Sequence, residues 1–191
     1  RLDGPWGPAA RGVEIRQCPE PDKGKGVFAA RAIAEGSVVG VYWGELLSQR
    51  DFNLRHGWNF QAGGSHAPPS ADETAVQEER RLRLASLAPG EGAPIGGALN
   101  GGSYCFTLLP EEFDYGDDRG AYIDAEDPSR SSWTRYINHC DNDGEGCNVV
   151  AQTDVANKRV WFEARRSIRE GEELCFSYQG DDGETLIVPW G

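Results

Sequence analysis

The chain has 191 residues, 38% of them hydrophobic, which is enough to bury the core of a single domain. Its formal net charge of −12 disfavours direct binding to nucleic-acid phosphates and favours basic protein partners, unless the acidity serves only solubility. No apolar run approaches the roughly 18 residues that a membrane-spanning helix requires, so we expect no membrane partner.

The cysteines are odd in number and include no C-x-x-C pair, which argues against a zinc cluster and gives no sign of a disulfide framework. A reducing, intracellular environment suits this pattern best. Since the chain starts at Arg1 and not at Met, we interpret it as an excised domain whose targeting signals could have been removed. The five cysteines are Cys18, Cys105, Cys140, Cys147 and Cys175.

The first 50 residues predict short strands joined by turns. A content of 25 Gly and 11 Pro in the whole chain favours a mainly β protein over one built from long helices. Val13–Gln17 alternates apolar and polar residues, which is typical of a strand. A turn at Gly24–Gly26 precedes Val27–Ala30, and a third apolar run covers Val38–Trp43.

Residues 51–102 differ in character and predict an insertion within the domain. Between a Pro-rich and a Gly-rich stretch, Ser70–Glu73 matches a capping box that opens a helix continuing to about Leu87. Short strands resume after the insertion, and a brief helix is expected over Ser129–Ile137. The later strands are Tyr104–Leu109, Tyr122–Ala125, Asn148–Val155, Lys158–Ala164 and Cys175–Tyr178.

Two stretches of the chain echo each other if one residue is skipped. Each has the pattern Phe-x-Ala-Arg, followed by an isoleucine and a glycine, and each leads into an aromatic strand. Two similar β-turns would give the same pattern, because such turns are common, and this is the simpler interpretation. The stretches are residues 28–36 and 162–171.

Arg135–Cys140 places a cation, an amide and an imidazole close together, a set that could bind a heterocycle through complementary donors and acceptors. A loop held by structural hydrogen bonds would have the same composition. A Cys/His hydrolase would need a distant histidine for Cys140, and only His56 and His66 remain, both in the insertion. We therefore disfavour thiol catalysis.

Phe176 and Tyr178 share one face of a predicted strand, which usually indicates a core. Here the polar segment Gln179–Glu184 follows at once, so Tyr178 is predicted to lie at the mouth of a site. Gly24 and Gly26 allow a ligand to approach the backbone closely, but their spacing alone predicts only a turn.

Taken in order, six motifs resemble the SET domain of protein-lysine methyltransferases, from about Val13 to Gly180 apart from the insertion. One such match could arise by chance, whereas six in the right order are a strong signal. The motifs are Lys23–Ala29, Tyr42–Leu46, Ser103–Phe106, Ile123–Ala125, Arg135–His139 and Glu173–Tyr178.

The resemblance implies a mainly β, SET-like fold with an α-containing insertion and a C-terminal pseudoknot, a rare exception to unthreaded chains. It implies S-adenosyl-L-methionine as methyl donor, S-adenosyl-L-homocysteine as product, and no metal. The residues expected to bind the donor are Lys25, Gly26, Ser103, Tyr104, Arg135, Asn138 and His139. The residues expected to line the lysine channel are Tyr42, Phe176 and Tyr178, with the Tyr178 hydroxyl orienting the amine.

Position 176 also implies a product. Where the family tends to have a water-holding tyrosine, Phe176 leaves room for an already methylated amine, so we expect di- or trimethylation. The chain departs from the family after the Asn-His pair, where an acidic stretch over residues 140–147 replaces the usual residues and Asn148 takes the place of the final Asn. With 13 residues left after Tyr178, the channel is expected to be closed by Leu186, Ile187 or Trp190, or by another segment of the chain.

We therefore expect one SET-like domain over residues 1–191, with residues 51–102 as an inserted subregion on the substrate side. Its expected activity is methyl transfer to lysine in a basic protein segment such as a histone tail, as part of chromatin regulation. A nuclear location is favoured over a cytoplasmic one. The alternative is a SET-like module that binds a peptide or the cofactor without turnover.

Overall fold

The computed structural model describes residues 7–20, 23–48, 51–52, 55, 104–108, 122–140 and 146–178, together with seven positions between 71 and 82. Strands predominate among them, which confirms the mainly β prediction. The strands are β1 (Val13–Gln17), β2 (Lys25–Ala29), β3 (Val38–Tyr42), β4 (Glu45–Leu47), β5 (Cys105–Thr107), β6 (Tyr122–Asp124), β7 (Asn138–His139), β8 (Val149–Asp154), β9 (Arg159–Ala164) and β10 (Glu173–Phe176).

The strands form three small sheets. Their orders are β1-β2-β10-β7, β3-β9-β8 and β4-β6-β5. Neighbouring strands are antiparallel except β7 and β10, which run parallel although they are far apart in sequence. A short helix, α1 (Pro8–Arg11), precedes β1 and ends at Gly12, whose φ of 76° requires a residue without a Cβ.

The predicted strands all occur, with no end displaced by more than two residues. The last begins two residues early, at Glu173, and ends at Phe176, before the predicted Tyr178. The prediction of one helix over Ser129–Ile137 is wrong. This segment contains two 3-10 turns, Pro128–Arg130 and Trp133–Tyr136, because Ser131 between them is fully extended and interrupts the helical hydrogen bonds.

The predicted helix in the insertion is confirmed at the seven described positions between 71 and 82, all of which are helical. Its proposed capping residues, Ser70 and Glu73, lie outside the described residues. No helix in the described part of the chain is both long and apolar enough to cross a lipid bilayer.

A buried apolar cluster joins all three sheets, and a smaller one forms around residues of the third. In the smaller cluster Phe52 stacks on Tyr122 with ring centroids 4.1 Å apart. Nearby, the Arg55 guanidinium donates to Glu45 at 2.6 Å and to Asp124 at 3.1 Å. These contacts fasten the start of the predicted insertion to the β4-β6-β5 sheet.

The two echoing stretches pair with each other. Ile33 and Ile168 exchange backbone hydrogen bonds at 2.9 Å in each direction. Gly36 donates to Ala164 at 2.8 Å, and Gly171 donates to Ala29 at 2.7 Å. The contacts are therefore reciprocal, and the two similar turns form one paired unit.

The alignment with one skipped residue is wrong. Residues that make equivalent hydrogen bonds in the two stretches are separated by the same number of positions along the chain. This spacing aligns the pattern Ala-x-Arg-x-Ile-x-Glu-Gly at residues 29–36 and 164–171. We call these segments the N-terminal turn and the C-terminal turn. Each contains a glycine with positive φ, 74° at Gly36 and 85° at Gly171.

The expectation of no disulfide framework is wrong at one pair: Cys140 and Cys147 are bonded, with Cα atoms 5.5 Å apart. Cys18, Cys105 and Cys175 are free and buried. Close C-x-x-C spacing is absent here, whereas the backbone amides of Cys140 and of Asn148, next to Cys147, both donate to carbonyls of β10.

Candidate functional site

The strand β10 lies between two other segments of the chain. The Cys140 amide donates to the Phe176 carbonyl on one edge, and the Asn148 amide donates to the Cys175 carbonyl, each at 3.1 Å. Because successive carbonyls of a strand point to opposite edges, the two donors lie on opposite sides of β10. This is the arrangement that the predicted pseudoknot requires.

Asn148 holds this arrangement with its side chain, which is 1% exposed. Its amide nitrogen donates to the Glu173 carbonyl at 2.8 Å, and its amide oxygen accepts from the Cys175 amide at 3.0 Å. A side chain that satisfies both a donor and an acceptor of one strand fixes that strand in register. Sequence reasoning matched Asn148 to the family's final Asn but assigned it no role.

Tyr178 follows β10 and meets His139 of β7. The Tyr178 backbone amide donates to His139 Nδ1 at 3.1 Å, and the two rings lie 5.0 Å apart. The Tyr178 hydroxyl donates to the Ile137 carbonyl at 3.3 Å. The His139 side chain therefore positions the Tyr178 backbone, and its expected contact with the methyl donor stays a prediction.

The three residues predicted to line a lysine channel belong to one aromatic cluster. Ring centroids are 5.0 Å apart for Phe176 and Tyr178, and 4.7 Å for Phe176 and Phe162. Phe162 in turn meets Tyr42 edge-on at 6.1 Å. Tyr42 is fully buried and donates its hydroxyl proton to the Tyr104 carbonyl at 2.5 Å, so it is placed behind the cluster.

Burial controls the ionisation of these phenols. Removal from water disfavours a phenolate, and this raises the pKa of Tyr42, Tyr104 and Tyr178 above the ordinary value for tyrosine. All three therefore stay protonated at neutral pH. The Tyr178 hydroxyl can then donate one hydrogen bond, which it gives to Ile137, and accept another.

The glycine turn lies beside the other end of β10. Gly24 has a φ of 66°, which only glycine adopts without strain. A Cβ added at Gly26 would lie 2.7 Å from Glu173 Oε1 and 3.1 Å from Asn138 Nδ2. The space beside Gly26 is thus occupied by a polar cluster from β10 and β7.

Asn138 lies at the centre of this polar cluster. Its Nδ2 donates to Glu173 Oε1 at 2.8 Å and to the Lys25 carbonyl at 3.3 Å. Cys18 Sγ is 3.4 Å from the same nitrogen. Sequence reasoning included Glu173 in a motif but gave neither it nor Cys18 a role, and their separation from Asn138 along the chain left no signal to find.

Arg135 is a buried cation stacked between aromatic rings. Its guanidinium carbon lies 3.8 Å from the ring centroid of Tyr104 and 5.0 Å from that of Tyr136. It donates to the Glu126 carbonyl at 2.8 Å and is 3% exposed. The Arg135 guanidinium therefore holds the Tyr104 ring in place by stacking against it. Ser103 lies outside the described residues.

The family model of the SET domain matches residues 24–179 of this chain. The chain is 31% identical over 180 residues to histone-lysine N-methyltransferase EZH2 of Chaetomium thermophilum, covering 93% of this chain and 9% of that protein. The chain thus spans about a tenth of that relative's length.

Solved structures give the same relation. A structure titled "ctPRC2 in an autoinhibited conformation bound to S-adenosylmethionine" has a TM-score of 0.51 and 29% identity, covering 90% of this chain and 15% of that one. The crystal structure of the Chaetomium thermophilum polycomb repressive complex 2 has a TM-score of 0.51 and 28% identity, covering 93% of this chain and 16% of that one. With the SET model matching most of its residues, this chain belongs to the SET-domain family.

Proposed function

We propose that this chain is an S-adenosyl-L-methionine-dependent protein-lysine N-methyltransferase. The observation that carries the proposal is the position of β10, which brings the polar cluster around Asn138 and the aromatic cluster around Tyr178 to one strand. Membership of the SET family suggests which ligand each cluster binds. The polar cluster holds the methyl donor, and the aromatic cluster holds the lysine side chain.

The residues around Asn138 fit S-adenosyl-L-methionine. The ammonium group of this methyl donor needs a hydrogen-bond acceptor, and the Asn138 amide oxygen has no hydrogen-bond partner among the described residues. Lys25 and Gly26 form the adjacent backbone, while Tyr104 and Arg135 support a neighbouring wall. When bound, S-adenosyl-L-methionine supplies an electrophilic methyl group on a sulfonium.

The aromatic cluster acts on the lysine. Lysine has a reference pKa near 10.4, so exposing its lone pair at pH 7 costs about 4–5 kcal/mol. Burial among Phe176, Phe162 and Tyr178 disfavours the ammonium and lowers this cost. The Tyr178 hydroxyl accepts a hydrogen bond from the amine, which aligns its lone pair for transfer.

Phe176 sets the degree of methylation. Its side chain is 1% exposed and carries no hydroxyl, so it adds no hydrogen-bonding group to the cluster. A methylated amine can turn against its ring, which also attracts the alkylated cation. We therefore propose di- or trimethylation.

The substrate is a basic protein segment such as a histone tail, and the enzyme works in the nucleus. A net charge of −12 speeds the capture of such a segment and disfavours nucleic acid as a direct partner. The similarity to a histone-lysine methyltransferase supports the same choice. The domain extends over residues 1–191, with residues 51–102 on the substrate side, where Phe52 and Arg55 fasten the start of that segment.

Mass spectrometry of mixed histones incubated with donor and the full chain tests this function. We expect di- or trimethyl-lysine with wild type, and a rate lower by roughly 100-fold for Tyr178→Phe, which loses the orienting hydroxyl. Phe176→Tyr should shift the product towards monomethyl-lysine. Tyr122→Phe, a matched change in the β4-β6-β5 sheet, should methylate at the wild-type rate.

The outcomes separate the alternatives. Only monomethyl-lysine from the wild type in a saturating reaction would contradict the role of Phe176. Donor binding by calorimetry without any transfer would show a binding module that lacks turnover. Labelling by Tyr178→Phe at the wild-type rate would place the chemistry elsewhere.

A further inference from the structure

The orientation of the Asn138 amide follows from its surroundings. One end of the amide meets three groups that can accept a hydrogen bond: Glu173 Oε1, the Lys25 carbonyl and Cys18 Sγ. A carboxylate and a carbonyl cannot donate, so the end that faces them must be the NH2 group. The amide oxygen of Asn138 therefore points away from Glu173.

We propose that Glu173 is a positioning residue for the methyl donor, which fixes the Asn138 amide with its oxygen presented to the donor's ammonium. The inference rests on the proposed function and goes beyond it by assigning a role to a carboxylate that does not itself touch the donor. Its basis is the 2.8 Å hydrogen bond between Glu173 Oε1 and Asn138 Nδ2. Without a carboxylate there, the amide could rotate and present its NH2 group, which repels an ammonium.

The surroundings hold Glu173 in place for this role. Its side chain is 17% exposed, and Lys23 Nζ lies 3.9 Å from Oε2 at the more open side. Cys18 Sγ lies 3.5 Å from Oε1. Burial, and then the nearby Glu173 charge, raise the pKa of the Cys18 thiol to about 11, so at neutral pH the thiol is a neutral donor to the carboxylate.

The backbone places the two partners together. Asn138 of β7 pairs with Cys175 of β10, two residues beyond Glu173. Gly26 leaves room for both side chains, because a Cβ at that position would lie within 2.7 Å of the carboxylate. The ion pair with Lys23 would by itself do little to fix the Glu173 carboxylate, since ion pairs with an exposed partner contribute weakly.

Reversing the polarity of the hydrogen bond tests the proposal. Asn138→Asp places two carboxylates at hydrogen-bond distance, and we expect roughly 30-fold weaker donor binding from their repulsion. In the double variant Asn138→Asp with Glu173→Gln, the glutamine NH2 donates to one aspartate oxygen and leaves the other for the ammonium. Donor binding should recover at least tenfold over Asn138→Asp alone, because the two positions are coupled.

Isothermal titration of the full chain with S-adenosyl-L-methionine gives these affinities, and thermal unfolding of each variant checks the fold. If the fold-loss of donor affinity in the double variant equals the product of the fold-losses in the two single variants, the positioning role is overturned. A wild-type chain that binds no donor would overturn the proposed function and this inference with it. Binding by the wild type without recovery in the double variant would overturn the inference alone.

Glu173→Gln by itself provides a second test that does not depend on the aspartate variant folding. A neutral amide is a weaker acceptor than a carboxylate, so the Asn138 amide is held less firmly. We expect the KM for the donor to rise roughly fivefold while kcat changes little, since the aromatic cluster is intact. An equal fall in kcat with an unchanged KM would contradict a role in donor positioning.

Discussion

The N-terminal turn and the C-terminal turn share one local sequence and reciprocal hydrogen bonds, yet they deliver different strands. The N-terminal turn leads into β3, the outer strand of its sheet, where Val38 and Val41 are 45% and 42% exposed. The C-terminal turn leads into β10, an inner strand whose last three residues are buried. The conformation of each turn follows from its local sequence, whereas the role of the strand that follows it depends on the neighbouring strands.

The largest expected effect tests whether the two turns are equivalent parts of one core. Ile33→Ala and Ile168→Ala should each lower the free energy of unfolding by about 2–5 kcal/mol. The loss should be larger for Ile168, which is 1% exposed against 9% for Ile33. Urea denaturation measures both values.

A matched control for the isoleucines is Val155→Ala, at a position 37% exposed, which should change stability by no more than about 0.5 kcal/mol. The two isoleucines form a direct bridge, so their double variant should deviate from additivity. Strict additivity of the two losses would show that the turns do not support each other.

The next largest effect concerns β10 and not β3, because the Cys140–Cys147 bond joins the two segments that donate hydrogen bonds to opposite edges of β10. Chain entropy for a loop of about eight residues predicts that reduction costs about 2.5 kcal/mol. We expect a lower urea midpoint and weaker donor binding in the presence of a phosphine reductant. The double variant Cys140→Ser with Cys147→Ser should be insensitive to the reductant, and a wild-type midpoint that ignores it would refute the bond.

The smallest effect separates the turn from the strand that follows it. Gly36→Ala and Gly171→Ala should each cost about 1–2 kcal/mol from the positive φ alone, because an added Cβ would meet no atom within 4 Å at either position. Thermal unfolding should give nearly equal losses. Donor titration should show a weaker affinity only for Gly171→Ala, which lies two residues before Glu173.

Gly146→Ala is the matched control for the glycine pair. A Cβ there makes only an ordinary contact of 3.8 Å with Cys140, so neither stability nor donor affinity should fall. Equal donor affinities for Gly36→Ala and Gly171→Ala would show that the C-terminal turn does not control the polar cluster.

Much of the fold was predictable because strands leave a local signal. Alternating apolar residues and flanking glycines located β1 and the strands at either end of the two turns. The motif order also identified the family. It singled out Asn138, Phe176 and Tyr178, and the structure places all three on or beside β10. The helix over Ser129–Ile137 failed because its apolar residues serve tertiary packing, and Trp133 is buried without a full α-helical turn.

The short strands and the two glycine turns could be recognised from the order of residues, because steric limits and side-chain chemistry act locally. The pairing of the turns, the bond between Cys140 and Cys147 and the hydrogen bond between Asn138 and Glu173 became evident only in the folded molecule. Those contacts join residues far apart along the chain. Their geometry depends on how the sheets pack together, and one strand's sequence carries no record of which neighbour will lie beside it.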